Sequence, residues 1–451
     1  MITRAEIYFL SALLIFNSIG SKAEELKAAD PFAFADFSWI PGNYAPTEAS
    51  PLATKYFVPE LRIDTVYHYS LNNPSDDTIS GSSEAFRHNE LQLTQLGLGG
   101  DFNYKNVGFR FMTQFGLYST GTPRNDASPS RGQWDLGNAY RYISEAYASY
   151  HLDIWNGINI QSGLFMSYVG LWSYYNFDNW TYQPSYVSSN TPWYFNGVRV
   201  QIFTSDKLKI EPWITNGWQS YGKFNNSPSL GLQVLYRPTG TLSILGNQYY
   251  GSDTLGTPDR KRLHTDESAM VKYFQADSKG VSQAAASLTL DAGCENGGGV
   301  SCNTQYFVGF MAYNRLWFNH NTFGLTVGGG GINNAGRYLV LLPPINGATA
   351  TSGASNSDPT KGPVYSYFTE NPGDQYTAWD SQITGDYMPT QNLTFRLEFN
   401  HRVASVPYFT GSNGVTPPGG NQGTPGSNVP GWTPDLSTSE NRITAAMMVR
   451  L

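Results

Sequence analysis

Two nested alternations and an unusual composition predict an all-β fold for this chain: a transmembrane antiparallel β-barrel of about 16 strands. From about Val58 to Leu451, segments of about ten residues alternate apolar with polar side chains. The connectors between segments also alternate, short and then long. A barrel requires both patterns, because each strand shows one face to lipid and one to the lumen. It also joins its strands by short periplasmic turns and long extracellular loops. Of the 451 residues, 15% are aromatic and 14% charged, with 46 Gly and 30 Tyr. A soluble domain carries about a quarter charged residues, so this balance fits aromatic girdles and an uncharged lipid face.

The N-terminus reads as an export signal. Arg4 supplies a basic start, positions 7–19 an apolar core too short to span a bilayer, and Ser21-Lys22-Ala23 the small residues of a cleavage site. A signal peptide over 1–23 is expected, and no cysteine follows it to carry a lipid anchor. Residues 24–56, rich in Phe, Trp and Pro, are read as an N-terminal periplasmic or plug segment, and 57–451 as the barrel. No later stretch is apolar for about eighteen residues, which excludes helical spans. The net charge of -7 leaves no basic footprint, so nucleic acid is not an expected partner.

Taken in order, the expected strands are 57–71, 89–102, 107–119, 141–153, 158–169, 192–203, 207–219, 229–237, 241–250, 266–275, 283–293, 304–316, 322–331, 376–387, 392–403 and 440–451. The first places Leu61, Ile63, Tyr67 and Tyr69 opposite Glu60, Arg62, Asp64 and His68. The third sets Val107, Phe109 and Phe111 against Arg110 and Met112. The fifteenth is the clearest: Leu393, Phe395, Leu397 and Phe399 alternate with Thr394, Arg396, Glu398, Asn400 and Arg402. Helical spacing would put Arg396 and Phe399 on one side, so a helix fits poorly. Short connectors such as Trp155-Asn156-Gly157 and Pro238-Thr239-Gly240 carry turn residues. The longest connectors, 332–375 and 404–439, are rich in Pro, Ser, Asn and Gly. An even strand number puts both barrel ends in the periplasm. The last strand alternates to its final residue, Leu451, where the barrel-assembly machinery would recognise segment 440–451.

Aromatics near strand ends (Tyr67, Tyr69, Trp193, Trp213, Tyr249, Tyr250, Trp317 and Trp379) are expected in two interfacial girdles. Cys294 and Cys302 are an even pair in an exported chain, which favours a disulfide closing a glycine-rich outer loop. Two thiols without clustered His make a poor metal site, so no metal or cofactor is expected.

Several motifs then point to a family. Phe86-Arg87-His88-Asn89-Glu90, Thr122-Pro123-Arg124-Asn125-Asp126-Ala127-Ser128-Pro129, Tyr174-Tyr175-Asn176-Phe177-Asp178-Asn179-Trp180, Asn216-Gly217-Trp218-Gln219-Ser220-Tyr221-Gly222 and Gly336-Arg337-Tyr338-Leu339-Val340 together resemble the OmpL-like β-barrel porin family (porin-2 type) of Gram-negative outer membranes. The resemblance covers nearly all of the mature chain. It implies an outer-membrane porin, an aqueous channel for passive diffusion of small polar solutes and ions, and it brings no catalytic residues.

A barrel of about sixteen strands is wide enough for such a channel. Expected pore-lining residues are Arg62, Asp64, Arg110, Glu145, Arg199, Glu211, Arg315, Asp380, Arg396, Glu398 and Arg402. Opposite walls of opposite sign would favour polar solutes, whereas mutual pairing would leave little selectivity. The third outer loop, residues 170–191, carries Trp172, Tyr174, Tyr175, Phe177, Trp180 and Tyr182. That is too apolar for water, and the loop is expected to fold inward as a constriction with Asp178 at the narrowing. Two other classes compete: a structural, adhesive or plugged barrel, and a barrel hydrolase. The scattered histidines and lack of a nucleophile motif argue against the hydrolase, and the chain is not expected to be an enzyme. Partners beyond membrane lipid and solute would be further copies of the chain, a trimer by analogy with general porins.

Overall fold

In a computed structural model, residues 31–42, 50–335, 375–420 and 435–451 are described, apart from 127, 129–130, 406 and 417. The expected signal peptide, residues 24–30 and 43–49, and the motif at 336–340 lie outside the described residues. The strands are β1 (Phe57–Ser70), β2 (Leu91–Tyr104), β3 (Val107–Thr113), β4 (Ile143–Leu152), β5 (Ile158–Met166), β6 (Tyr194–Ser205), β7 (Leu208–Thr215) and β8 (Ser229–Thr239). They continue as β9 (Leu242–Gly251), β10 (Lys261–Gln275), β11 (Val281–Asn296), β12 (Tyr306–Phe318), β13 (Phe323–Ala335), β14 (Gln375–Thr390) and β15 (Leu393–Ala404). A minute pair, β16 (Phe409–Thr410) and β17 (Leu436–Ser437), sits in the last long loop, and β18 (Ser439–Arg450) completes the chain.

Sixteen of these form one closed barrel, each strand antiparallel to its sequence neighbour, with β18 pairing both β15 and β1. Closure leaves no edge with unpaired backbone groups, which a lipid environment demands. The period-two pattern dictates which face is wet. On β15, Phe395, Leu397 and Phe399 point outward and are exposed, while Arg396, Glu398, Asn400 and Arg402 point inward and are buried. In a membrane the exposed apolar row meets hydrocarbon.

All sixteen expected strands exist, but their ends move for identifiable reasons. β10 starts at Lys261, not 266, because Arg262 and His264 continue the inward row in a stretch too polar to read as strand. β3 stops at Thr113 because Gly116 takes φ 97° and leads the chain into a short helix at Tyr118–Gly121. β5 ends at Met166, where the chain leaves the wall for the lumen.

The expected girdle divides in two. Tyr67, Tyr69, Tyr250 and Trp379 do face outward. Trp193, Trp213, Tyr249 and Trp317 are buried inside the barrel, which corrects the reading of them as interfacial. Trp213 shares the inward face of β7 with Glu211, so parity and not residue type decides its side. Within the barrel Trp213, Tyr249 and Trp317 join residues from two inserted segments, 167–193 and 31–42, in one apolar core, and Trp193 belongs to a second cluster.

Candidate functional site: the barrel lumen

The loop joining β5 to β6, residues 167–193, folds into the barrel. Its aromatics account for the direction: Trp172 packs on Tyr313, Trp180 on Trp317, and Tyr174 on Tyr118 and Trp193. Burying an irregular backbone requires partners for its N–H and C=O groups, and the charged wall provides them. Glu398 accepts from the Tyr182 and Gln183 amides at 2.7 and 2.9 Å, and Asp380 accepts from the Tyr186 amide at 3.1 Å. Arg396 donates to the Asn176 and Asn179 carbonyls at 3.1 and 2.7 Å, and Arg315 to the Trp180 carbonyl at 3.2 Å. Asp386 lies 2.7 Å from both arginines and offsets part of their charge.

Asp178 is enclosed as well. Its oxygens lie 3.0 Å from Arg62 on β1 and 2.6 Å from Arg450 on β18, and its side chain is 2% exposed. The Arg450 guanidinium also covers the Phe177 ring at 4.6 Å. Tyr182 donates to Asp64 at 3.3 Å and pairs with Thr94 at 2.7 Å. Two inward glycines make room for the loop. A Cβ at Gly309 would lie 2.8 Å from Val187 Cγ2, and one at Gly231 would lie 2.0 Å from the Tyr168 hydroxyl.

The eleven candidate wall residues all face inward, yet they fall into two groups. Arg62, Asp64, Arg315, Asp380, Arg396, Glu398 and Arg402 hold inserted loops: Arg402 donates to the Gly81 carbonyl and stacks on Tyr186 at 4.1 Å. The remaining four stand on β3–β7. Arg110 lies 2.8 Å from Glu60, 2.8 Å from Asp101 and 3.0 Å from Glu145, while Tyr175 donates to Glu145 at 2.7 Å. Arg199 stacks on Phe165 at 4.4 Å and approaches Glu211 at 3.6 Å. Glu211 is closed off by Lys209 at 2.6 Å and Gln201 at 3.0 Å.

A cavity of about 460 Å³ remains between the inner loop and the walls of β1–β4 and β8–β10. One side is charged, with Arg62, Arg110 and Glu145; the other mixes Leu235, Leu245 and Met270 with Gln233 and Arg237. The N-terminal segment borders it at Ile40, Pro41 and Gly42. Phe32 hydrogen-bonds to the turn at Asp206 (2.9 Å), Arg237 covers the rings of Phe32 and Phe37 at 5.0 and 4.4 Å, and Lys272 lies 5.6 Å over Trp39. Its far end meets the inner loop: Trp180 donates to the Trp39 carbonyl at 3.2 Å and the Gly42 amide to the Asp178 carbonyl at 2.9 Å. A Cβ at Gly42 would lie 2.2 Å from the Leu171 carbonyl, so only glycine permits this approach.

Two of the motifs singled out in the sequence meet at the mouth. Asp126 accepts from Ser220 and from the Tyr221 amide at 2.9 Å each, tying the second outer loop to the fourth. Asp76, in the first outer loop, accepts from the Val415 and Thr416 amides at 2.7 and 2.8 Å. Burial works to raise Asp76, but hydrogen bonds from Thr416, Val415 and Thr78 outweigh it and hold the carboxyl below the usual range. Cys294 and Cys302 form a disulfide. Sequence reasoning missed the loop-to-wall bonds because charges were assigned to faces, not to partners. The surplus of inward aromatics was the available signal.

A family model described as "Putative beta-barrel porin-2, OmpL-like" matches residues 60–451. No curated protein sequence matches the chain. Among solved structures it is similar to OmpT of Vibrio cholerae, at 10% identity and TM-score 0.48, covering 89% of this chain and 99% of that one. It is also similar to the outer-membrane channel DcaP of Acinetobacter baumannii, at 11% identity and TM-score 0.48, covering 88% and 97%. The anion-selective porin of Comamonas acidovorans is similar at 10% identity and TM-score 0.47, covering 88% and 99%.

Proposed function

The chain belongs to the OmpL-like β-barrel porin family, and we propose that small polar solutes and ions cross its outer-membrane barrel by one off-centre route. The route runs beside the inner loop, along Arg110, Asp101, Glu145 and Tyr147, with Leu235 and Leu245 across from them. The observation that carries this reading is the docking of loop backbone onto Glu398, Asp380, Arg396 and Arg315. These residues sit on β12, β14 and β15, so free volume is left toward the other strands. Loop 167–193 is then the constriction, and Asp178 is its clamp and not an open selectivity charge. Arg110, Asp101 and Glu145 are the charges a solute meets, and their mutual pairing predicts weak ion preference.

Segment 31–42 acts in this reading as a plug that narrows the periplasmic half of the route. The apolar inner wall supports this: Met270 and Ala285, where a porin lumen is ordinarily polar, join Phe37, Trp39 and Ile40 in one buried cluster. An exported chain, freed of residues 1–23 and threaded through β18 by the barrel-assembly machinery, completes the proposal. The test is planar-bilayer recording of the full mature chain against a variant lacking 31–42. The deletion should raise single-channel conductance severalfold. Equal conductance would reject the plug, and no stepwise conductance from either protein would reject the channel route.

A further inference from the structure

The outward face of the barrel breaks its own rule at one place. Glu267, on β10, points away from the lumen and is exposed. Apart from Lys261 at a strand end, no other outward position of the described barrel strands carries an acidic, Lys or Arg side chain. Its depth follows from register. Leu263 pairs with Tyr250 and with Cys294, and Cys294 with Tyr306, which marks the upper aromatic level. Tyr273 marks the lower level on the same strand. With about 3.4 Å per residue and a tilt near 45°, Glu267 lies about 10 Å below the first and about 14 Å above the second, near the middle of a band about 25 Å tall. Among the described residues its carboxylate receives one hydrogen bond, from Thr265 at 2.6 Å, and no cation pairs with it.

A carboxylate at that depth faces hydrocarbon unless another chain covers it, and lipid tails offer no donor. The surroundings suit a close polypeptide contact. Thr265 pairs with Gln248 and Glu267 with Gly246, so an exposed amide and an exposed carboxylate stand on neighbouring strands. Gly246, Ala269 and Ala292 keep the surface low around them, as small residues do where membrane segments approach. Directly above lies an outward groove of about 720 Å³ bordered by Leu230, Leu232, Tyr250, Leu263, Tyr306 and Val308.

We propose that the outer face of β8–β11 around Glu267 is where a second copy of this chain packs. A copy is the occupant the chemistry favours, because it necessarily brings Gln248 and Glu267 to the same depth. Reciprocal contact about a twofold axis, which makes a dimer in place of the trimer expected by analogy, then satisfies both, the Gln248 amide of each copy donating to the Glu267 carboxylate of the other. This surface is separate from the route through the lumen.

The test places a photo-crosslinking benzophenone residue at Ala269, with Leu397 on the opposite outer face as control, in the full chain within outer membranes. Illumination should give an adduct of two copies from position 269 and none from 397. The mass of the purified protein in mild detergent should fall to that of one chain in Glu267→Leu and stay oligomeric in Glu267→Gln, which keeps an acceptor. An Ala269 adduct with a different protein, no adduct, or an unchanged mass for Glu267→Leu overturns the proposal. Each Glu267→Leu channel should retain wild-type single-channel conductance, a readout that fails only if the barrel itself is disturbed.

Discussion

Replacing Asp178 by Asn tests how the inner loop is held. The carboxylate is shared by Arg62 at 3.0 Å and Arg450 at 2.6 Å, with the three side chains 2%, 4% and 10% exposed. Removing one partner of a buried ion pair costs about 3–5 kcal/mol. The low end applies, because Arg62 keeps Glu60 and the asparagine oxygen still accepts one hydrogen bond. At 1.4 kcal/mol per tenfold, a loss of about 3 kcal/mol raises the undocked population of the loop roughly 100-fold. The variant also leaves the lumen one unit more positive. Single-channel recordings should show frequent excursions to higher conductance, and the reversal potential in a salt gradient should move toward anions. A correctly folded Asp178→Asn channel with wild-type current noise and an unmoved reversal potential would refute the clamp.

The remaining predictions concern fit and pH. Gly309→Val forces a Cβ to within 2.8 Å of Val187 and overpacks the recess at a cost of about 1–3 kcal/mol, so the loop should shift and conductance rise in bilayer recordings. Asp76 has a lowered pKa in the folded protein, so its contribution is present above the unfolded carboxylate pKa and is lost as pH falls through the lower folded value. Hydrogen-exchange protection of Val415 and Thr416, relative to the intrinsic rate at each pH, should therefore hold at pH 7 and pH 5 and fall only below about pH 4, whereas Asp76→Asn should lower it throughout.

The wall of this protein was legible in its sequence and the filling was only partly so. Strands such as β15 declare themselves because lipid and lumen impose opposite demands on successive residues. The inner loop was legible for a related reason: Trp172, Tyr174 and Trp180 are too apolar for water. What remained hidden depends on partners distant in sequence. That Glu398 caps the amides of Tyr182 and Gln183 spans more than two hundred residues, and no local pattern encodes it. Trp213 and Tyr249 were misplaced because a ring near a strand end looks alike whether it meets the interface or an inserted loop. Glu267 was overlooked because one charge among apolar neighbours barely disturbs a two-residue period.

The clamp at Asp178 also bears on the order of assembly. Arg62 belongs to the first strand and Arg450 to the last, and they become neighbours only when β1 pairs with β18. Before that seam zips, half of the seat for the loop does not exist. The loop can therefore complete its seat only once the ring has shut, and its docked form then lies as a bolt across that join, holding the first strand to the last as well as narrowing the lumen.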